Sequence, residues 1–189
     1  MRLMLLVTAL AVITGKLAGG RLDRLPHAGV RWAPLALVGL ALQLAPLPAP
    51  AAMALLYLSL ALLLVFTAAN LRRPGFPLIL LGVVLNLAVI GANAGMPVSR
   101  SAIVASGQQD TLGELAEDGD GVKHHLAGPS TRLLPLGDVL AVPPPVKQVI
   151  SVGDIAVDAG IFWFVVGAMR AGSGRRRPLR PEAETVARG

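Results

Sequence analysis

The run from Ala51 to Ala69 contains no charged residue, and it limits the possible folds more than any other stretch of the chain. A helix needs about 20 apolar residues to cross the hydrocarbon core of a bilayer, and this run has that length. The whole chain is 54% hydrophobic and 15% charged, whereas soluble domains carry about 25% charged residues. The sequence therefore predicts that a bilayer is the solvent.

Five apolar segments are predicted to cross the membrane, which gives an all-α integral membrane protein built as a helix bundle. They cover residues 3–22, 33–47, 51–70, 76–93 and 149–170 of a single membrane domain, 1–171. The first segment resembles a cleaved signal peptide in length, but no small-x-small site precedes a polar mature start, so a retained helix is favoured. Residues 172–189 are predicted to be a basic, disordered cytoplasmic tail.

A long connection, residues 94–148, separates the fourth predicted helix from the fifth. Loops of more than about 15 residues are usually functional or disordered. We expect this one to be partly structured and packed over the mouth of the bundle. Its Pro143–Pro145 segment is predicted to be an extended polyproline II stretch that leads into the last helix.

Basic residues predict the orientation, because short cytoplasmic loops are enriched in Lys and Arg. With five helices, the arginines at 21, 24, 31, 72 and 73 and those of the tail all fall on one side. The prediction is therefore an N-terminus outside and a C-terminus in the cytoplasm. The net charge of +6 is explained by these helix-end residues, and nucleic acid is not an expected partner.

Polar residues inside the predicted helices gather near the outer face of the membrane. They are Gln43, Asn86, Asn93, Asp154 and Asp158. Asp154 and Asp158 are four residues apart and share a helix face. An aspartate at that depth costs about 2–3 kcal/mol even on insertion scales, so Asp158 should face the bundle. Gln43 is expected to join two helices through its amide.

Three interpretations of this polar set remain open. In the structural one, Ser151 and Asp154 form a capping box, and Arg132 or Lys147 neutralises Asp154. In the acid–base one, His124 works with Asp138 or Asp154 on a lipid-linked substrate.

A serine nucleophile, Ser99 or Ser151, would extend the acid–base interpretation, although no GxSxG motif surrounds either residue. In the metal interpretation, His124 or His125 joins Asp138 and Asp154 around zinc or manganese. Adjacent histidines point apart, and no HExxH motif is present. No cofactor is identified by any motif.

Two classes of function follow. The favoured one is a non-catalytic membrane subunit, or a module that binds a lipid or a partner protein. The alternative is an outer-leaflet enzyme that acts on a lipid-linked substrate by His/Asp acid–base or metal-assisted chemistry.

Several motifs in fixed order resemble a family of small bacterial multi-pass membrane proteins of unknown function. The resemblance rests on GGRL at 19–22, NAGMPVS at 93–99, KHHL at 123–126, TRLLPLGD at 131–138 and SVGD at 151–154. It spans about Leu3 to Arg170 and implies a location in the bacterial cytoplasmic membrane, but no activity. The chain departs from the family pattern at Ala94, where glycine is common, and in its Pro-rich segment.

Overall fold

A computed structural model describes residues 2–44, 49–117 and 123–171. This part of the chain is mostly helical, with four short strands. The helices are α1 (Arg2–Leu17), α2 (Ala33–Gln43), α3 (Ala49–Ala69), α4 (Phe76–Asn93), α5 (Arg100–Ser106), α6 (Leu112–Glu117) and α7 (Val152–Arg170). The strands are β1 (Met96–Val98), β2 (His124–Leu126), β3 (Leu140–Val142) and β4 (Gln148–Ile150). The predicted tail, 172–189, lies outside the described residues.

Three of the described helices are long and apolar enough to cross a membrane. They are Ala51–Ala69 within α3, and the whole of α4 and α7. Helix α2 is apolar but has 11 residues, and α1 has 16.

Two helix ends differ from the predicted segments. Helix α1 ends at Leu17 and not at 22, because Gly19 adopts a left-handed φ of +76° that breaks the helix. Helix α7 begins at Val152 and not at 149, because residues 148–150 form β4 and pair with β3.

The predicted polyproline II stretch is wrong. Residues 144–146 form a turn, and the peptide bond between Pro144 and Pro145 is cis. The amide N–H of Lys147 donates to the carbonyl of Pro143 at 3.3 Å, so the chain reverses here before it enters β4.

The five longest helices pack side by side in the order α1, α7, α4, α3, α2. Helices α4 and α7 are antiparallel, and glycines lie along their contact. A Cβ on Gly82 would lie 2.3 Å from the carbonyl oxygen of Gly153, and one on Gly75 would lie 2.1 Å from that of Gly160. The two backbones therefore touch without side chains between them, as small residues permit between packed membrane helices.

The described residues of the segment from 94 to 151, called the cap below, cover one end of these helices. The cap is attached to the start of α1, where the N–H of Leu3 donates to Gln148 Oε1 at 3.0 Å. It is also attached to the end of α4, where the Asn93 side chain exchanges two 2.8 Å hydrogen bonds with the backbone of Arg132. The cap is therefore fixed to the first and fourth helices of the chain.

The opposite end of the helices is held by a second set of side chain to backbone bonds. The amide of Asn70, which is 2% exposed, accepts from the N–H of Arg31 at 2.8 Å and donates to its carbonyl at 2.9 Å. The Arg73 guanidinium donates to the carbonyls of Ala28 and Gly29, and Arg24 Nη1 donates to that of Met169. The 18–32 loop, the 70–75 loop and the end of α7 thus form one connected surface.

Large apolar side chains cover the outward faces of these helices. Among the exposed ones are Leu5, Leu10, Leu17, Leu37, Leu58, Leu81, Ile155 and Trp163. A water-exposed surface of this extent is rare in soluble monomers, and it is typical of helices in contact with lipid.

Candidate functional site

A closed set of hydrogen bonds joins the start of α7 to α4. Ser151 caps α7: its Oγ accepts from the N–H of Asp154 at 2.9 Å, and its own N–H donates to Asp154 Oδ2 at 3.1 Å. Asn86 Nδ2 donates to Asp154 Oδ1 at 2.9 Å, and Ser151 Oγ donates to Asn86 Oδ1 at 2.9 Å. Ser151, Asp154 and Asn86 therefore form a polar ring in which each side chain bonds to both of the other residues, and the Ser151–Asp154 bonds run through backbone N–H groups.

The predicted capping box is confirmed by this geometry. The predicted neutralisation of Asp154 by Arg132 or Lys147 is wrong, because no ion pair joins them within the described residues. Both carboxyl oxygens of Asp154 are already occupied, one by the N–H that it caps and one by the Asn86 amide. Hydrogen bonds from Asn86 and the Ser151 N–H, and not an ion pair, stabilise the Asp154 carboxyl group.

The cap places His124 and Asp138 above the polar ring. Strand β2 pairs in parallel with β1, with His124 beside Met96, and Asp138 forms a bridge with Val98 on the same strand. His124 Nε2 lies 3.9 Å from Asp138 Oδ2, which is beyond hydrogen-bond range. The two side chains are therefore neighbours without a direct bond.

Asp138 is a buried carboxyl group with an unused acceptor. Its side chain is 10% exposed, and Oδ1 has no hydrogen-bond partner among the described residues. Burial raises the pKa of Asp138 to about 7, and the nearby charge of Asp154 acts in the same direction. Asp138 is therefore protonated much more readily near neutral pH than an exposed carboxyl group would be.

His124 has the opposite exposure. Its side chain is 56% exposed, yet desolvation by the surrounding cap lowers the pKa of its imidazole, while the charge of Asp154 partly counteracts this. A neutral imidazole at pH 7 can either accept or donate a proton.

Two adjoining cavities lie below these residues. The mouth cavity, about 170 Å³, is lined at its polar end by Gln43, Lys123, His124 and Asp138. The bundle cavity, about 450 Å³, shares Gln43, His124 and Asp138 with it and continues between the helices to Phe66 and Ile161. Ligand sites in proteins usually have volumes of roughly 300–1,000 Å³, so the bundle cavity is large enough for part of an organic molecule.

The cavity walls change in character along their length. Asp138, Asp154 and Gln43 are near the cap, whereas the deeper wall is formed by Leu40, Leu63, Phe66, Ile79, Val83, Val157 and Ile161. Thr67 and Asp158 are the polar exceptions. Asp158 is 8% exposed and lines the bundle cavity, so the expectation that it faces the bundle interior is confirmed.

Gln43 closes the mouth cavity on the α2 side. Its Nε2 donates to Ser59 Oγ on α3 at 2.8 Å, which confirms the expected bond between helices. Its carbonyl oxygen accepts from Lys123 Nζ at 2.8 Å. Lys123 was not among the predicted site residues, because one lysine in a polar loop carries no signal of its position.

Four predicted site residues do not line either cavity, namely Asn93, Ser99, Arg132 and Ser151, and the last of these belongs to the polar ring. Asn93 and Arg132 bind each other at the edge of the cap, and Arg132 contributes its backbone there and not its charge. Ser99 Oγ is 2.8 Å from Ser101 Oγ. The three-ligand metal interpretation also lacks support, because the described residues contain no group of three or more His, Cys, Asp or Glu side chains placed to hold an ion.

Comparison with known proteins gives a family but no activity. Residues 29–166 match DUF5317, a family of unknown function. No curated protein matches the chain, and no solved structure does. The matched residues include the polar ring, the cap and every residue of the predicted polar set, and they exceed half of the chain. The protein therefore belongs to the DUF5317 family of unknown function.

Proposed function

We propose that this protein is a non-catalytic, multi-pass protein of the bacterial cytoplasmic membrane that binds one lipid in its bundle cavity. The observation that carries the proposal is the gradient along that cavity, which is polar beneath the cap and apolar at depth. A lipid has the same sequence of chemistry, with a polar head group above hydrocarbon chains. An apolar outer surface on the helices supports a lipid environment.

The packing order of the helices supplies a route for the lipid. Helices α1 and α2 are at the two ends of the row and not packed against each other, yet Met4 of α1 and Ala36 and Leu40 of α2 all line the bundle cavity. In our proposal the gap between α1 and α2 opens to the bilayer, and a lipid chain enters sideways. In this proposal α1, α2, α3, α4 and α7 all cross the membrane. The 11-residue α2 then lies beside the cavity that the lipid chain fills.

The proposed orientation places the cap outside. The start of α1 bonds to the cap, and the opposite end carries Lys16, Arg21, Arg24, Arg31, Arg72, Arg73 and Arg170. This distribution supports an extracytoplasmic N-terminus and a cytoplasmic C-terminus.

Labelling of single cysteines tests this orientation, since the chain has no native cysteine. In intact cells, Ser130→Cys in the cap is expected to react with an impermeant maleimide, whereas Arg72→Cys at the opposite end reacts only after lysis. Both side chains are exposed, so accessibility in the folded protein is matched. The reverse pattern would invert the orientation.

Filling the bundle cavity tests the lipid site. Ala36→Phe is expected to reduce the lipid that co-purifies with the protein from about one molecule per chain to a small fraction, because Ala36 lines the cavity. Ala41→Phe is the matched control, since Ala41 lies on the same helix with an exposed side chain. The lipid is quantified by mass spectrometry of extracts from the purified protein.

Three outcomes would contradict the proposal. Equal lipid retention by the two phenylalanine variants would place the lipid on the outer surface. Absence of lipid from the purified native protein would show that the proposed lipid-binding function is wrong. Purification with a fixed second chain and no lipid would favour a role as a membrane subunit.

A second candidate function, an outer-leaflet enzyme acting on a lipid-linked substrate, is favoured by one observation. His124 and Asp138 both line the bundle cavity, and His124 Nε2 is 3.9 Å from the Asp138 carboxyl group. In that case the lipid recovered from the native protein would be chemically changed from the lipid supplied. His124→Ala would then return it unchanged.

A further inference from the structure

We infer that the bound lipid carries an ammonium head group with N–H donors, and that the carboxyl group of Asp138 binds it. This inference rests on the proposed lipid-binding function and adds the chemical class of the head group.

The unused acceptor of Asp138 is the first observation. A buried polar atom without a partner is costly, and most such atoms in folded proteins find one. Asp138 Oδ1 has none among the described residues, while its side chain is nine-tenths buried and lines both cavities. The neighbouring His124 is too far away to supply the bond, at 3.9 Å from Oδ2. A donor from the ligand would complete the site.

The charge around the cavity is the second observation. Asp138, Asp154 and Asp158 all line the bundle cavity. Of the described residues that line either cavity, Lys123 alone has an amino or guanidinium group, and its Nζ donates to the carbonyl of Gln43. The lining is therefore acidic, and it disfavours an anionic head group.

An ammonium group satisfies both observations at once. Its N–H donates to the Asp138 carboxyl group, and its positive charge offsets the carboxyl groups that line the cavity. A hydroxyl group could supply the donor but not the charge, and a quaternary ammonium could supply the charge but not the donor. The three chemistries can therefore be separated by comparing three head groups.

The pH dependence of binding follows from the same contact. The pKa of Asp138 is about 7 without ligand, raised by burial and by Asp154 and opposed by the amino-terminal charge of the chain. His124, Lys123 and Asp158 are the other titratable groups that face these cavities. A primary ammonium stays charged below about pH 10 and binds the ionised form of Asp138. Its affinity should therefore rise about tenfold between pH 6 and pH 8.

The experiment uses the full chain reconstituted in vesicles with equal amounts of phosphatidylethanolamine, phosphatidylcholine and phosphatidylglycerol. The protein is extracted in mild detergent at pH 6 and at pH 8, and the retained lipid is quantified. We expect phosphatidylethanolamine to be enriched about tenfold over the other two at pH 8, as a charge-assisted hydrogen bond would give. Asp138→Asn should abolish this enrichment and its pH dependence. Asp110→Asn, an exposed acidic position in the cap, should change neither.

The other outcomes separate the two proposals. Retention of lipid without preference for phosphatidylethanolamine, or a preference that survives Asp138→Asn, overturns the ammonium inference and leaves the lipid site in place. Equal retention of phosphatidylcholine also overturns it, because that head group has no N–H to donate. Retention of no lipid at all overturns both.

Discussion

Gly153→Ala is expected to lower the free energy of unfolding by about 3 kcal/mol, at the upper end of the usual cost of overpacking. A Cβ at this position would lie 2.0 Å from Asn86 Oδ1 and 2.8 Å from the carbonyl oxygen of Gly82. The backbone oxygen cannot move away as the tip of a flexible side chain can. Helices α4 and α7 would have to separate, and the Asn86 bond to Ser151 would be lost with the contact.

The measurement is thermal unfolding of the purified protein in detergent, followed by tryptophan fluorescence. A loss of this size corresponds to a decrease in Tm of about 6–12 °C for a chain of this length. Gly167→Ala is the control on the same helix, because its nearest contact would be Pro74 at an ordinary 3.8 Å. Gly91→Ala on α4 meets nothing within 4 Å and should stabilise slightly, since alanine is the better helix former. Similar Tm values for Gly153→Ala and Gly167→Ala would show that α4 and α7 do not touch here.

The glycine contact was accessible to sequence reasoning but was not predicted. Gly75 and Gly82 are seven residues apart, and so are Gly153 and Gly160. Seven residues are close to two helical turns, so each pair lies on one face. An antiparallel arrangement then brings 75 to 160 and 82 to 153, as the structure has them. The spacing alone does not identify the contact, because glycine is common in membrane helices for several reasons.

Local motifs were the more predictable part of the site. The Ser151–Asp154 capping box, the Gln43 bond between helices and the burial of Asp158 each depend on one helix and its neighbour. The position of Asp138 does not, since it is set by a bridge to Val98, 40 residues earlier in the chain. The arrangement of the cap depends on contacts between residues that are far apart in the chain. Residue types alone do not predict which of its strand residues pair.

Hydrogen bonds from a side chain to another residue's backbone are the hardest contacts to predict from sequence. Arg132 and Arg31 receive the Asn93 and Asn70 side chains through their peptide groups, and any residue type could do so. Ala94 is the reverse case, because the residue type does matter for its backbone conformation. It adopts a left-handed φ of +52°, which glycine takes without strain.

Asp154→Ala is the second change expected to have a large effect, a loss of about 3 kcal/mol. Removal of the carboxyl group deletes one of the two bonds of the capping box, the one from the Ser151 N–H, while the bond from the N–H of residue 154 to Ser151 Oγ remains possible. It also leaves the Asn86 amide and the Ser151 N–H without their acceptor, at about 1–3 kcal/mol for each buried group that stays unsatisfied. Asp154→Asn keeps one acceptor oxygen and should lose less. The same thermal unfolding assay measures both.

A double-mutant cycle tests whether the polar ring acts as a unit. Asn86→Ala alone should also destabilise, because it leaves Asp154 Oδ1 without its donor and the Ser151 hydroxyl without its acceptor. The double variant should then lose at least about 1 kcal/mol less than the sum, since the second deletion removes groups that the first has already orphaned. Strict additivity would mean that the three side chains stabilise the helices independently.

Asp138 offers the contrasting case with the same residue type. Its pKa is raised from below 4 to about 7 in the folded protein, so its contribution to stability is lost as the pH rises through 7. Asp138→Asn should therefore unfold at the same or a higher temperature than the native protein at pH 8 without lipid, while Asp154→Ala unfolds far lower. Asp154 has both carboxyl oxygens bonded and holds the helices together, whereas Asp138 has an unbonded oxygen and is available to a ligand. A large loss of Tm in Asp138→Asn would place Asp138 in the structural group and remove it from the binding site.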